Sequence, residues 1–322
     1  MIIVESKYII GIDLGGTKIS GVLANFNGDI VEKYTLPTKA EEGEEAVLER
    51  IIAVGERVLG ESKVNKDDVL AIGIGCPGIL NVKEGKIITA PNLPFRNFNV
   101  VKSLKDKFNI PVYLDNDANV AAIGEYVFGA GKGTNNMVFI TVSTGIGGGA
   151  VLNGKIYRGN TCNALEIGHM TLEKEGPRCN CGNYGCAEAL ASGTAIGRAA
   201  NEAIKNGEKT SLARYEKVTS FEVFKEAEKG DELAQNVLNK ALNYLGICVA
   251  NVIISFDPEV VIIGGGVSKG GQIVFDKINE VVKARCFEAM WKSTNIVPAA
   301  LGTDAGVIGA VALAVMERKD TI

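Results

Sequence analysis

Short apolar runs alternate along this chain with glycine-rich turns and helix-period stretches, a pattern that predicts an α/β protein. Tyr8–Asp13 is a strand-like run closed by Asp13-Leu-Gly-Gly-Thr-Lys18, and a second apolar run, Ile19–Ala24, follows at once. Asn27-Gly28 marks a hairpin turn, because both positions tolerate positive φ, and Ile30–Leu36 reads as a third strand. Glu41–Gly60 then puts Val47, Ile51, Val54 and Val58 on one face, the spacing of an amphipathic helix. The pattern recurs about 130 residues later. Met137–Val142 is a strand, Ser143–Gly149 a glycine turn, Ala150–Leu152 a strand, and Asn153-Gly154 a hairpin turn before Lys155–Arg158. An internal repeat of this size predicts a duplicated domain. Val69–Ile74, Lys86–Thr89 and Pro111–Leu114 are further strands, the last running into Asp115-Asn-Asp-Ala-Asn119. Glu232–Ile254 reads as a helix with a buried later half. Val260–Ile263 is a compact strand ending in Gly264–Gly266, and Ala305–Lys319 is a helix rich in small residues, able to pack closely on another backbone.

Length and composition narrow the functional classes. A chain of 322 residues with 46% apolar content suits two domains of ordinary size. A net charge of −4 without a long basic run argues against a nucleic-acid partner, since such binding relies on neutralising phosphates. The apolar stretches 241–256 and 305–316 read as interrupted or too short to span a bilayer. The start, MIIVESKYII, lacks the features of a secretory signal. The expectation is a cytoplasmic protein with no membrane partner.

Candidate chemistry sits in the glycine turns and one cysteine cluster. Gly15 and Gly16 place backbone amides without side chains at a strand end, where they can approach phosphate oxygens, and Thr17 and Lys18 add a hydroxyl and a cation. The turn joins two strands, which is neither a Walker motif nor a dinucleotide fingerprint. Two such turns, the second carrying Thr144, Gly145 and Gly147, could hold a nucleotide's phosphates from both sides of a cleft. Asp13 beside the first is suited to hold Mg²⁺ through water. Gly264, Gly265 and Gly266 read either as a tight strand-to-helix turn or as a close backbone approach to adenosine. Of seven cysteines, Cys179, Cys181 and Cys186 lie within eight residues, which points to metal in a chain without a signal peptide. Cys76, Cys162, Cys248 and Cys286 are scattered and read as ordinary core or near-surface residues. His169 is the sole histidine, and with the three clustered thiols it makes the ligand set of a tetrahedral zinc site, though the spacing is not that of a common finger.

Five segments together resemble the ROK family of sugar kinases and repressors: Gly-Ile-Asp-Leu-Gly-Gly-Thr-Lys (11–18), Leu-Asp-Asn-Asp-Ala-Asn (114–119), Val-Ser-Thr-Gly-Ile-Gly-Gly-Gly (142–149), Glu-Ile-Gly-His (166–169) and Cys-x-Cys-Gly-x-x-Gly-Cys-x-Glu (179–188). The resemblance runs from about residue 8 to the C-terminus, in the family's order. It implies an actin-like, ribonuclease-H-like ATPase fold of two duplicated α/β domains around a cleft. Residues 1–118 with helix 303–322 would form the smaller domain with the first phosphate hairpin. Residues 119–302 would form the larger one with the second hairpin, the zinc loop and the adenosine motif.

The resemblance also implies a structural zinc held by His169, Cys179, Cys181 and Cys186, which would fix Glu166 and Glu188 in place. With His169 these two face the sugar hydroxyls in the family. Asp117 matches the family's catalytic aspartate and is the expected general base, with Asn116 and the backbone at Gly78 as further sugar contacts. Asp115 and Asn119 read as turn and helix-capping groups. Domain closure would keep water from the γ-phosphoryl group. The implied reaction is ATP- and Mg²⁺-dependent phosphorylation of a hexose at its 6-hydroxyl, with glucose going to glucose 6-phosphate. N-acetylmannosamine and fructose remain alternative sugars, since substrate choice depends on loops such as Ala90–Phe98. A sugar-sensing repressor is the other reading, but such proteins carry a DNA-binding unit before the first glycine motif, and here Asp13 lies thirteen residues from the start. The family further implies a homodimer or homotetramer.

Overall fold

The computed structural model describes residues 7–90 and 92–319. Residues 1–6 of the segment read against a signal, Pro91 of the expected specificity loop and residues 320–322 of the expected last helix lie outside the described residues. The chain divides into two compact units: Met1–Gly133 with Lys155–Ala164 and Ala300–Ile322, and Thr134–Gly154 with Leu165–Ala299.

The first unit is built on β1 (Tyr8–Leu14), β2 (Lys18–Asn25), β3 (Ile30–Pro37), β4 (Val69–Cys76) and β8 (Val112–Asn116), in the order β3-β2-β1-β4-β8. The meander β1-β2-β3 is antiparallel, whereas β4 and β8 run parallel to β1. Between them lie α1 (Glu44–Ser62), a small sheet of β5 (Ile79–Asn81), β6 (Lys86–Thr89) and β7 (Arg96–Phe98), and α2 (Val100–Phe108). Helix α1 buries Val47, Ile51, Val54 and Val58 as the periodicity predicts. It starts at Glu44 rather than Glu41, because Gly43 at φ 94° breaks it from the preceding turn of 3-10 helix.

The C-terminal helix, Ala305–Lys319, packs its apolar side chains on Ile9, Val22 and Ala71 of the sheet, and at two glycines the backbones themselves meet. A methyl group at Gly73 would overlap the Ala310 carbonyl, and one at Gly11 would overlap that of Val307. The small residues of this helix therefore serve the close packing expected of them. The same helix meets α3 (Asp117–Val127): Val120 and Ile123 pack with Ala310 and Leu313, and Gly309 leaves no room for a side chain beside Val120. Helix α3 thus groups with the first unit, as do residues 155–164, whereas the expected boundary at residue 118 puts both in the larger domain.

In the second unit β9 (Met137–Val142) pairs antiparallel with β10 (Ile146–Leu152) and parallel with β11 (Val260–Gly264), which pairs in turn with β12 (Asn295–Pro298). The second glycine segment departs from expectation. Strand β10 already begins at Ile146, so Gly147, Gly148 and Gly149 are strand residues and the turn is only Ser143–Gly145. Packing explains glycine within the strand: a Cβ at Gly148 would stand 2.7 Å from Ile167 Cδ1. The strand after Asn153-Gly154 has two residues, Lys155–Ile156, against eight in β3, so the repeat is truncated there.

Helices α4 (Ala187–Ala191), α5 (Gly193–Lys205), α6 (Ser220–Glu228) and α7 (Glu232–Phe256) follow the cysteine loop. By length and composition alone α7 could cross a membrane, whereas 241–256 reads in the sequence as interrupted or too short. More than half of that apolar window is buried inside the unit, as in a core helix, with Leu238, Leu242, Leu245, Val249 and Ile253 turned inward.

Candidate functional site

In the first unit the β1–β2 turn is held from behind. Gly15 N–H donates to the Lys18 carbonyl at 3.0 Å, and buried Thr38 ties the two ends of the turn. Its hydroxyl donates to the Gly15 carbonyl at 2.6 Å and its N–H to that of Thr17 at 2.9 Å. Thr17 and Lys18 stay exposed. The register pairs Asp13 with Ser20, which leaves Asp13 half-buried at the strand end. Gly306 of the C-terminal helix lies so close that a Cβ there would stand 2.6 Å from the Asp13 Oδ2. Thr38 was not visible as a functional residue in the sequence, since its partners lie over twenty positions away.

The junction of β8 and α3 sets out Asn116 and Asp117. Asn116 caps the helix, its Oδ1 accepting from the Ala118 N–H at 2.9 Å, and its Nδ2 reaches toward the Gly78 carbonyl at 3.4 Å. Gly78, at φ 102°, packs against Thr89 and Ala90, where any side chain would collide, so only glycine suits that turn. Asp117 opens the helix, and its Oδ1 accepts from the Ala118 N–H at 2.8 Å. The Asp117 surface is open to solvent, yet crowding around it thins the water enough to push its carboxyl above the ordinary aspartate range, with the Ala118 N–H opposing. Asp13 is also pushed up, first by burial and then by the charge of Asp117, with Lys18 opposing. These two acids, distant in sequence, therefore share one electrostatic environment beside the glycine turn.

Asp115 and Asn119 differ from their sequence reading. The cap is Asn116, while Asn119 sits inside α3 and donates to the Asp115 Oδ1 at 2.9 Å. Asp115 is wholly buried, accepts the Asn116 N–H at 2.8 Å and pairs with the Arg158 Nε at 2.7 Å; Arg158 in turn meets Glu317 at 2.5 Å. This ion-paired anchor beneath the Asn116–Asp117 pair had no local signal, since Arg158 is 43 residues away. Beside Gly16 and Gly78 opens a recess of about 770 Å³, walled by Glu41, Thr89, Asn92 and Arg96.

In the second unit the cysteine loop brings four ligands together. The ligand atoms of His169, Cys179, Cys181 and Cys186 all lie within 4.8 Å of one another. Cys179 Sγ is 3.7 Å from His169 Nδ1, and the sulfurs of Cys181 and Cys186 are 3.6 Å apart. A tetrahedral zinc with bonds of about 2.3 Å to sulfur sets such edges near ~3.8 Å, so the residues present fit that ion. Turning Nδ1 to the sulfurs leaves His169 Nε2 for another partner. Glu166 is exposed, and its carbonyl accepts the His169 N–H at 3.0 Å. Glu188 is half-buried, and its Oε2 accepts the Ile146 N–H at 3.0 Å. Cys76 and Cys248 are buried and Cys162 and Cys286 half-buried, away from this cluster.

A second recess, of about 550 Å³, is lined by Thr144 and Gly266 and by Thr194, Arg198, Asn201 and Lys217. The last four lie on and after α5, where the sequence offered no motif. Gly265, at φ 86°, turns the chain out of β11 and packs on the Val142 carbonyl, so its strand-to-turn reading holds in structural terms. Gly145 lies in the β9–β10 turn, whereas Gly147 lies within β10, paired with Thr141.

Residues 9–317 match the sequence profile described as the ROK family. The glucokinase of Halalkalibacterium halodurans is 39% identical over 311 residues, covering 95% of this chain and 94% of that protein. The solved ROK hexokinase of Thermus thermophilus is 36% identical with a TM-score of 0.84, over 97% of this chain and 99% of that one. A ROK family glucokinase from Streptomyces griseus, solved in complex with glucose and AMPPNP, is 32% identical with a TM-score of 0.78, over 95% and 98% of the two chains. The xylose repressor of Caldicellulosiruptor bescii is 32% identical over 96% of this chain, which spans 78% of that protein.

Proposed function

This chain belongs to the ROK family, and from that premise we propose that it transfers the γ-phosphoryl group of ATP to the 6-hydroxyl of a hexose, glucose first among them. The observation that carries the reading is the pairing of Asp13 and Asp117 beside the first glycine turn, an acid suited to a metal–phosphate complex next to an acid suited to a proton. The likeness to the Streptomyces griseus glucokinase, which carries glucose and AMPPNP, supports the choice of both substrates.

In the proposed reaction the sugar's 6-hydroxyl gives its proton to the Asp117 carboxylate as its oxygen attacks the γ-phosphorus, and the bond to the β-phosphate oxygen breaks to leave ADP. Burial raises the affinity of Asp117 for a proton, which makes it a stronger base than an ordinary aspartate. Asn116 and the Gly78 backbone position the sugar on this unit; Glu166, His169 through Nε2, and Glu188 do so on the second. Gly15, Gly16, Thr17 and Lys18, with Thr144, Gly145, Gly147, Gly265 and Gly266, approach the nucleotide. Asp13 would hold Mg²⁺ through water, and that ion supplies charge neutralisation on the phosphates. Zinc on His169, Cys179, Cys181 and Cys186 would have four protein ligands and no open position, so its contribution is the shape of the loop.

N-acetylmannosamine and fructose are the alternative acceptors. A panel of hexoses with MgATP, read by ADP release, tests the proposal: glucose 6-phosphate is expected, and no ADP release with any hexose overturns it. A sugar-responsive DNA-binding role is the second reading, favoured by the similarity to xylose repressors. Salt-sensitive retardation of a DNA fragment that sugar relieves would support it. A homodimer or homotetramer is proposed for the assembly, and light scattering reads it directly.

A further inference from the structure

Beyond any sugar contact, we propose that Glu188 is a positioning residue for the second phosphate turn, so that the metal loop sets nucleotide affinity as well as sugar affinity. This rests on the reading of the Ser143–Gly145 turn as a nucleotide contact. The turn is short and closed by one internal bond, from the Ser143 N–H to the Gly145 carbonyl at 2.9 Å. The rest of its support comes from outside. Glu188 Oε2 accepts the N–H of Ile146, the first residue of β10, at 3.0 Å, and it fills the place a Cβ at Gly145 would need. Gly145 is thus required by the carboxylate behind it as well as by any phosphate in front. Gly168, beside the ligand His169, packs directly on the Ile146 carbonyl, where a methyl group would overlap it. The Gly193 N–H donates to the Ser143 carbonyl at 2.7 Å.

Metal ligands in turn determine where Glu188 and Gly168 stand. Cys186 is wholly buried and directly precedes α4, whose second residue is Glu188. The Ala187 N–H donates to the Met170 carbonyl at 2.9 Å, and Thr171 bridges Cys186, which joins the segment after His169 to the one carrying Glu188. Metal bound by His169 and Cys186 would therefore hold both sides of the seat on which the turn rests. The remaining oxygen of Glu188, Oε1, lies 4.0 Å from the Cys179 sulfur, which as a metal-bound thiolate would have no proton to give it. One carboxylate can thus serve the turn with Oε2 and a hydroxyl with Oε1.

The test is calorimetric binding of MgAMPPNP without hexose to the full-length, metal-loaded protein, beside deuterium exchange of the 143–149 peptide. Glu188→Ala is expected to weaken nucleotide binding about tenfold, the scale of a lost hydrogen bond to a backbone N–H, and to speed exchange at the turn. Glu188→Gln is expected to stay within about threefold of wild type for nucleotide, because its carbonyl can still accept from Ile146. Wild-type nucleotide affinity and exchange in Glu188→Ala would overturn the proposal, as would equal weakening in the two variants. Should Glu188→Ala lose metal or unfold, the comparison falls to Glu188→Gln against wild-type protein stripped by a chelator. Stripping is expected to loosen the turn and weaken nucleotide, and unchanged affinity there refutes the link. Absence of MgAMPPNP binding to wild type fails the nucleotide reading itself, a separate result.

Discussion

Replacing Asp117 by Asn is the most direct challenge to the proposed mechanism. The side chain lies at the first position of α3, exposed, and its Oδ1 accepts from the Ala118 N–H at 2.8 Å. An Asn carbonyl can accept the same N–H, and the Asn116 cap remains. The fold loses only a carboxylate's attraction to a helix N-terminus, about 0.3–1 kcal/mol, offset by relief of its desolvation. Turnover should respond very differently. A positioned base contributes ~10²–10⁴-fold, or about 3–5 kcal/mol of barrier, and neighbouring acids cannot substitute. Asp115 is wholly buried in its bond to Arg158, and Asp13 stands at the β1–β2 turn. The pH profile gives a second reading. Burial raises the Asp117 carboxyl above its ordinary value of 3.8, so the competent base is lost as pH falls through that raised value. The acid limb of kcat/KM should therefore lie above the ordinary aspartate range in wild type and vanish in Asp117→Asn. Calorimetry with glucose, a coupled assay from pH 4 to 8 and a thermal melt suffice. A kcat within tenfold of wild type, or an acid limb unmoved by the substitution, would refute the assignment.

Three other substitutions probe the scaffold. Arg158→Met leaves the buried Asp115 charge without its partner and should cost about 3 kcal/mol, lowering the thermal midpoint by roughly 5–10 °C. An unchanged melt would show the pair to be dispensable. Cys181→Ser should lower bound zinc from about one per chain, with thermal stability and glucose affinity falling alongside. Wild-type protein free of zinc by elemental analysis defeats that account. Gly73→Ala forces a methyl group into the Ala310 carbonyl and should cost on the order of 3 kcal/mol in urea unfolding. A loss below about 0.5 kcal/mol would mean the C-terminal helix can shift at little cost.

Much of the first unit was legible because local rules governed it. The strands β1 to β4 and β8, the inward face of α1 and the C-terminal helix follow from apolar period and turn chemistry. The second glycine segment was legible as a turn but not in extent. Ser143–Gly149 reads as loop by composition, yet Gly147, Gly148 and Gly149 are strand residues paired with β9, and Ile167 and the Leu165 carbonyl leave no room for a side chain at Gly148. The boundary near residue 118 missed α3 for a related reason. What that helix packs against, Ala310 and Leu313, comes nearly two hundred residues later.

The sequence alone determined the chemistry on offer: the acids Asp13 and Asp117, the glycine turns, and one imidazole with three clustered thiols. These are short-range facts of composition and spacing, legible wherever the chain goes. Tertiary structure alone decided which of them meet. It brought Asp13 into the field of Asp117, closed His169 and the three thiols to within 4.8 Å, and seated the Ile146 amide on Glu188. It also paired Asp115 with Arg158, where the spacing suggested only a turn. Such contacts arise from packing between segments far apart in the chain, and burial then shifts charges and forbids side chains at places no local pattern marks.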